Sequence, residues 1–567
     1  MENTYNYLEP LKYYELELKE KHKENVESFF EELSKNSKVD IEGNKQTCHK
    51  YYAENSLLDK FKSSLSATKA GIVFMIILMI VGFALGLILL IVGFANQNYA
   101  LVGVGAGLIV VGVIALIVYL KVFKDKKKAL EKKINDKQKV VDELKKEAYG
   151  QMTPLNGAFN VKMVTDIIHK TAPLIEFDDK LTSKVEERVV KQFKDKLDTE
   201  DTHSSLVVQS GNINKNPFIL RQKLEMNMKP ETYTGTLLIT YTKYVSDGNG
   251  GTKAVTVTQT LVATVVKPKP HYSVATTLTY YSDAASNLSF YRTPAHLEGK
   301  SDKQIERATR KEERENSRKA ESATKKGGNY TKFANSKFEA YINSEGRDNE
   351  VEYRVLFTPV AQNNFVYTFS KRDDIFFTKT KCVNTISSLH DMNMDYSGDI
   401  SNYMHFDYEV IKKNFINYNV NYFEGLYYDL IPILNIPVYH QNQSAPFVES
   451  TEQEQFIGYY ESECLVNKFE PNLFKPKECA TDVILKPTVA GNTLVVTAHG
   501  YKAVLKTEFV PTIGGDGILH PVPVDYYEYF PVTKNTKVEV FDKSIKNDGN
   551  NKDIIINYKQ YSAKLCK

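Results

Sequence analysis

Two uninterrupted apolar runs constrain this chain more than any other feature. Residues 70–95 read AGIVFMIILMIVGFALGLILLIVGFA without one charge, and residues 101–123 read LVGVGAGLIVVGVIALIVYLKVF, uncharged until Lys121. Each exceeds the roughly 20 apolar residues needed to cross about 30 Å of hydrocarbon. A soluble domain could bury one such helix in its core. Two runs separated only by Asn96-Gln97-Asn98-Tyr99-Ala100 predict a transmembrane hairpin instead. Lys60, Lys62 and Lys69 precede it, Lys121, Lys124, Lys126, Lys127 and Lys128 follow it, and the connecting loop is uncharged. The positive-inside rule then places both termini in the cytoplasm of a cell bounded by this plasma membrane. Gly82 with Gly86, and Gly103 with Gly107, form small-xxx-small pairs suited to close helix packing, within the hairpin or between copies. Neither span carries an ionisable residue at its middle, so the hairpin reads as an anchor and not an ion pathway.

The remainder of the 567 residues is long enough for about three or four structural units at roughly 150 residues each. Its 73 basic and 70 acidic side chains leave a net charge of only +3, which argues against a nucleic-acid partner. Lysine greatly outnumbers arginine, Asn, Ile, Tyr and Phe abound, and Trp is missing, the pattern of an AT-rich bacterial genome. Five scattered cysteines without a CxxC or a zinc-like Cys/His spacing fit free thiols in a reducing compartment. The polar, acidic first twenty residues lack the regions of a signal peptide.

Period and composition divide the chain further. Residues 1–69 carry helical periodicity at 8–33 and 48–65, and 124–150 continue the second span as a stalk. A seam of Leu130, Ile134, Val141, Leu144 and Ala148 gives that stalk a short coiled-coil pattern, interrupted by Lys137. Packing on the N-terminal helices is the more economical use. In 151–297 two amphipathic helices (161–171 and 181–197) give way to period two. TYTGTLLITYTKYV (232–245) and KAVTVTQTLVATVV (253–266) flank a turn-rich linker and predict an antiparallel meander. Segment 298–330 is charged and suits a solvated helix or linker. Segment 331–480 is mixed, with strands expected at 352–357 and 375–380, and a helix at 403–430 that Pro432 and Pro437 end and follow with an extended stretch. Segment 481–567 is β-rich again. The fold class is therefore α+β: a two-helix transmembrane hairpin, a helical stalk and a large cytoplasmic antiparallel β region.

Candidate sites are few. Arg307, Arg310, Arg314 and Arg318, spaced 3, 4 and 4, form one helical stripe that could meet phosphates or carboxylates. The plainer reading is an exposed helix laced with pairs such as Glu306–Arg310. Lys124, Lys126, Lys127 and Lys128 suit anionic lipid headgroups, although topology already accounts for them. His390 to Asp395 offers metal-type ligands, but too few converge to predict a metal. His499, Asp516 and His520, with Cys464 or Cys479, are the residues a non-local catalytic site would draw on. Gly299-Lys300-Ser301 has Pro294 where a phosphate loop needs its first glycine, and Gly514-Gly515-Asp516-Gly517 reads as a turn. Tyr526, Tyr527 and Tyr529 could stack on bases, but sheet packing explains them. No catalytic residue, metal ligand or cofactor is assigned.

Two stretches, FEAYINSEGRDNEVEYRVLFTPVAQ (338–362) and residues 480–485 with 514–532, are similar to a group of membrane proteins from low-GC Gram-positive bacteria and mollicutes. That resemblance implies a bacterial plasma membrane and carries no activity or site residues. The expectation is a membrane-anchored interaction or scaffold protein with protein partners. Its alternatives are a membrane-tethered enzyme and an accessory subunit of a transport or export complex.

Overall fold

A computed structural model describes residues 8–160, 162–178, 183–193, 201–246, 251–328, 330, 332–388, 395–441, 443–445, 456–542, 552–556 and 559–565. The chain opens with α1 (Pro10–Tyr13), a π-helical turn (Tyr14–Leu18) and α2 (Lys19–Asn36), then α3 (Ile41–Ala95), α4 (Tyr99–Val118) and α5 (Lys124–Asn156). Next come α6 (Lys162–Thr171), β1 (Ile175–Phe177), α7 (Ser183–Lys191), β2 (His203–Ile213), β3 (Asn216–Ser246), β4 (Thr252–Tyr281) and β5 (Ser289–Arg292). After them follow α8 (Asp302–Lys325), α9 (Ser336–Ile342), β6 (Ser344–Glu345), α10 (Glu350–Leu356), α11 (Pro359–Lys371), β7 (Ile375–Thr380) and β8 (Val383–Ser388). The chain finishes with α12 (Tyr408–Leu434), α13 (Pro437–Gln441), α14 (Tyr459–Val466), β9 (Ile484–Ala490), β10 (Thr493–Ile513), β11 (Leu519–Asp542), β12 (Lys552–Ile556) and β13 (Lys559–Leu565). It divides into two compact units.

The first unit, 27–160 with 400–418, is helical. Its helices α3 and α4 are each long and apolar enough to cross a membrane. Their aliphatic side chains point outward, as Val73 (57% exposed), Ile80 and Ile91 show, so these are not the core helices of a soluble domain. Where the two helices touch at Gly82, Gly86 and Gly105, there is no room for a Cβ. A Cβ on Gly82 would lie 2.8 Å from the Leu108 carbonyl oxygen, one on Gly86 2.9 Å from that of Gly105, and one on Gly105 2.8 Å from that of Gly86. Beyond the spans, α5 returns along α3: Lys137 pairs with Glu54, Gln151 donates to the Thr47 hydroxyl (3.1 Å), and Lys133 sits over the Phe61 ring. Residues 400–418 close the far end. There the fully buried Asn44 donates to the Phe406 carbonyl (2.8 Å) and accepts from the Tyr408 amide (3.0 Å), and Cys48, Ala148 and Phe406 pack together.

The second unit, 1–26, 161–399 and 419–567, holds two antiparallel sheets, in the strand orders β1-β2-β3-β4-β8-β7-β5-β6 and β12-β13-β11-β10-β9. The β regions that flank the middle segment are thus separate sheets. At their base both pack on α14: Cys464, Leu465 and Val466 join Val208 and Ile219 of one sheet with Leu494 and Val496 of the other. The β2–β3 connection is a two-residue turn with positive φ at Asn214 (49°) and Lys215 (66°), the geometry that matches strand twist. Elsewhere in this unit, Arg292, only 1% exposed, pairs with Asp373 and lies 3.6 Å over the Phe369 ring. His22 is buried against Thr171, Asn419 and Phe423.

Three expectations change. The strand expected at 352–357 is helix α10, because Asn349 caps it (Glu352 amide to Asn349 Oδ1, 3.1 Å) and Tyr353 and Leu356 bury one face. Pro432 does not end its helix; α12 starts at Tyr408 and runs to Leu434, held by the fully buried Leu430, Ile431, Ile433 and Leu434 around the proline. Pro437 begins the short helix α13 and not an extended stretch, which fits its freedom at a first helical position. Segment 298–330 is ordered over α8.

Candidate interaction site

The longest strands of the molecule grow out of its two sheets. β3 and β4 pair without a register shift from Phe218↔Tyr280 to Ser246↔Thr252, a ladder of about 90–100 Å at 3.3 Å per residue. β10 and β11 pair from Thr493↔Glu539 to Ile513↔Leu519, about 70 Å. Neighbouring strands cover only the bases: β2 stops at Glu225, β8 at Thr277, β9 at His499 and β13 at Val538. Beyond them each hairpin is a two-stranded ribbon, and an isolated ribbon is marginal in water.

The ribbons solve this by stacking face to face, with their tips pointing the same way. Ile239, Leu261, Ala263 and Val265 of the β3–β4 ribbon meet Val522 and Val524 of the β10–β11 ribbon, all under 10% exposed. Gly235 packs directly on the backbone of Pro523 and Val524. At one side Lys267 bonds Glu508 (2.6 Å) and lies 4.5 Å from the Tyr526 ring centre. Near the tip the Gly515 amide donates to Gln259 Oε1 (2.8 Å). The result is a four-stranded arm one ribbon thick on each side.

Its two outer faces differ. On the β3–β4 ribbon the outward positions are mostly threonine, as in the opposed pairs Thr234↔Thr264, Thr240↔Thr258 and Thr242↔Thr256. Threonine is a strand former that water accepts. On the β10–β11 ribbon the outward rows are Leu505↔Tyr527, Thr507↔Asp525, Phe509↔Pro523, Pro511↔Pro521 and Ile513↔Leu519. Leu505, Phe509, Ile513, Leu519 and Ile518 in the loop are 57–67% exposed. The open edges are guarded. Opposed prolines, Pro230↔Pro268 and Pro511↔Pro521, can only occupy pairs whose N–H would point outward, so they remove donors that a foreign strand would use.

The sequence-derived candidates fall elsewhere. Arg307, Arg310, Arg314 and Arg318 do share one exposed stripe of α8, with Arg310 3.6 Å from Glu306. The other six arginines each bond a group in the fold, for example Arg347 with Glu339 (2.7 Å) and Arg221 with the Tyr460 hydroxyl (2.7 Å). Lys124, Lys126 and Lys128 are exposed, and Lys127 lies 3.8 Å from Glu131. Gly82 and Gly86 form the hairpin contact described above, whereas a Cβ on Gly103 or Gly107 would meet nothing within 4 Å among the described residues. The partners of Gly82 and Gly86 are Gly105 and Gly112, one helical face away from Gly103 and Gly107.

His499, Asp516 and His520 do not converge. His520 bonds Asp516 across the hairpin loop (2.8 Å), while His499 lies thirteen strand positions from Thr512, the residue opposite His520, about 40 Å along the ribbon. His499 faces Asp201 (3.4 Å) instead. The Ile518 amide, and after it His520, hold the Asp516 carboxyl below its ordinary range; the pair braces a loop. Cys464 is buried in the core, which pushes its thiol well above the usual range, opposite to what a nucleophile needs. Of the 390–395 motif only Asp395 falls within the described residues, and no cluster of metal ligands occurs among the described residues. Tyr526 packs in the ribbon stack, and Tyr527 on the outer face.

Set against protein-family models, curated proteins and solved structures, the chain matches none.

Proposed function

We propose that this protein is a membrane-anchored interaction protein whose β-arm is the element that binds partners. The helical hairpin holds it in a bacterial plasma membrane, with both termini cytoplasmic as the lysine flanks require. The observation that carries the reading is the arm itself. Its two stacked ribbons project past the sheets that support them and keep in water a face of largely apolar rows, crossed by the polar row Thr507↔Asp525. Apolar patches of several hundred Å² on a soluble surface usually mark a binding site.

The test uses the full chain, extracted in mild detergent from cells crosslinked beforehand, and compares it with Phe509→Asp/Leu519→Asp. Loss of co-purifying protein in the variant, with unchanged membrane retention after carbonate washing, supports the reading. Identical partner sets in both remove the arm from consideration. A second reading, an accessory subunit of a transport or export complex, is favoured by Gly103 and Gly107, whose small-xxx-small face the hairpin leaves unused. Gly103→Leu/Gly107→Leu should then break that complex and leave the hairpin intact.

A further inference from the structure

We infer that the partner of the β10–β11 outer face is the same face of a second copy of this chain. The inference rests on the interaction reading above and names its occupant. Five features lead to it.

The first is area. Six side chains (Leu505, Phe509, Ile513, Ile518, Leu519 and Tyr527), 45–67% exposed, leave roughly 700 Å² of apolar surface in contact with water. With Pro511, Pro521 and Pro523 between them, the face approaches the roughly 800 Å² per partner of a standard stable interface.

The second is register. A two-fold axis through the Phe509↔Pro523 row makes the face self-complementary. Four positions outward lie Ile513↔Leu519, and four positions inward Leu505↔Tyr527; the axis lays each of these apolar rows on the other. The intervening polar row, Thr507↔Asp525, meets the proline row Pro511↔Pro521. Asp525 already accepts a hydrogen bond from the Thr507 hydroxyl (2.6 Å), so it enters the contact partly satisfied.

The third is precedent within the fold. The opposite face of the same ribbon stacks on another two-stranded ribbon through Val522, Val524 and Val510, so ribbon-on-ribbon packing is how this sequence already buries a strand face. The fourth is that the opposed prolines remove edge donors and so disfavour edge-to-edge pairing relative to face-to-face contact.

The fifth separates a second copy from a bilayer. The face carries the exposed carboxylate of Asp525, and Asp516 sits in the tip loop. Hydrocarbon rejects carboxylates, whereas the mixed rim of a protein interface holds them. Copies confined to one membrane also meet at high effective concentration, which suits a face of this modest size.

Cysteine crosslinking of the full chain in its membrane tests this. Phe509 lies on the proposed axis, so Phe509→Cys should form a disulfide-linked dimer with diamide. Leu238→Cys, equally exposed on the threonine face, is the control for random collision. The parent chain, with its own cysteines, sets the background. Phe509→Cys should crosslink about tenfold faster than Leu238→Cys, as a held pair does relative to a colliding one. Ile513→Cys co-expressed with Leu505→Cys should give a mixed dimer that neither gives alone. Equal rates at 509 and 238, or no crosslink at 509, overturn the inference. Quenching of a 509-attached fluorophore by a lipid-borne quencher, without crosslinking, also overturns it and assigns the face to the bilayer. If 509 does not crosslink yet Phe509→Asp/Leu519→Asp still strips other proteins from the pull-down, self-pairing fails while the interaction reading stands.

Discussion

Truncating Leu261 to alanine probes whether the arm is held together by its own thin core. Leu261 is 3% exposed and sits among Ile239, Ala263, Val265, Val522 and Val524, while its neighbour Val262 is 54% exposed on the other face of the same strand. Leu→Ala in a core costs about 2–5 kcal/mol, less where surroundings collapse into the gap. A stack only one ribbon thick on each side collapses readily, so about 2–3 kcal/mol is expected, against roughly 1.5–3 kcal/mol for each large aliphatic group the stack buries. The cost should fall on the arm alone, because β2, β8, β9 and β13 brace only the bases. Native-state hydrogen exchange by mass spectrometry reads this directly. Protection in 226–246 and 252–276 should drop about 30- to 150-fold, since each 1.4 kcal/mol is tenfold. Amides near Phe218 and Leu278, in the sheet itself, should not change. Val262→Ala should leave both regions within about 0.5 kcal/mol. An equal effect from Val262→Ala would refute the assignment of faces, and an equal loss of protection at Phe218 would refute the arm as a separate cooperative unit.

Three further outcomes are expected. Gly86→Leu should destabilise the helical hairpin in detergent by about 1–3 kcal/mol, because its side chain would strike the Gly105 carbonyl and Ile109; Gly107→Leu should melt like the parent. Burial lowers the His22 imidazole to about 4 from 6.5, so the unfolded chain holds the extra proton between those values and stability rises with pH there. The contribution is complete above about pH 6.5 and is lost as pH falls towards 4, up to about 3 kcal/mol; denaturation midpoints of His22→Gln should lack that part of the slope. Asp373→Asn, which strands the buried Arg292 guanidinium, should cost about 3–5 kcal/mol in denaturant titrations, and adding Arg292→Met should recover most of it.

How much of this the sequence discloses depends on whether one face of an element meets water. The distal β3–β4 ribbon is readable because its threonines alternate with buried Ile239, Leu261 and Val265. Its base is not, since Asn216 to Leu220 are buried on both faces and the alternation vanishes. The α10 segment misleads for the opposite reason: Val351, Tyr353 and Val355 alternate like a strand, yet Val351 and Val355 are exposed and the helix buries Tyr353 and Leu356. The candidate site stays hidden because large apolar residues stand at both inward and outward positions of β10 and β11. Nothing local says that Val510 turns inward and Phe509 outward; the only hint is the unusual density of Pro511, Pro521 and Pro523 in a strand region. The hairpin glycines show a similar limit, for spacing marks both Gly103–Gly107 and Gly82–Gly86, but only the helix rotation decides which pair is used.

The unbroken ladder between β3 and β4 limits how the arm can change length. No bulge between Phe218 and Ser246 is present to absorb a stray residue. A single insertion would turn every side chain beyond it to the wrong face, presenting threonine to the stack and leucine to water. Viable changes therefore come in quanta of two residues in each strand at once, about 6.6 Å of reach per step. Such a step in one ribbon also shifts its tip relative to the other, away from the Gly515–Gln259 contact. The reach of this protein is thus set in discrete lengths, with both hairpins having to move together.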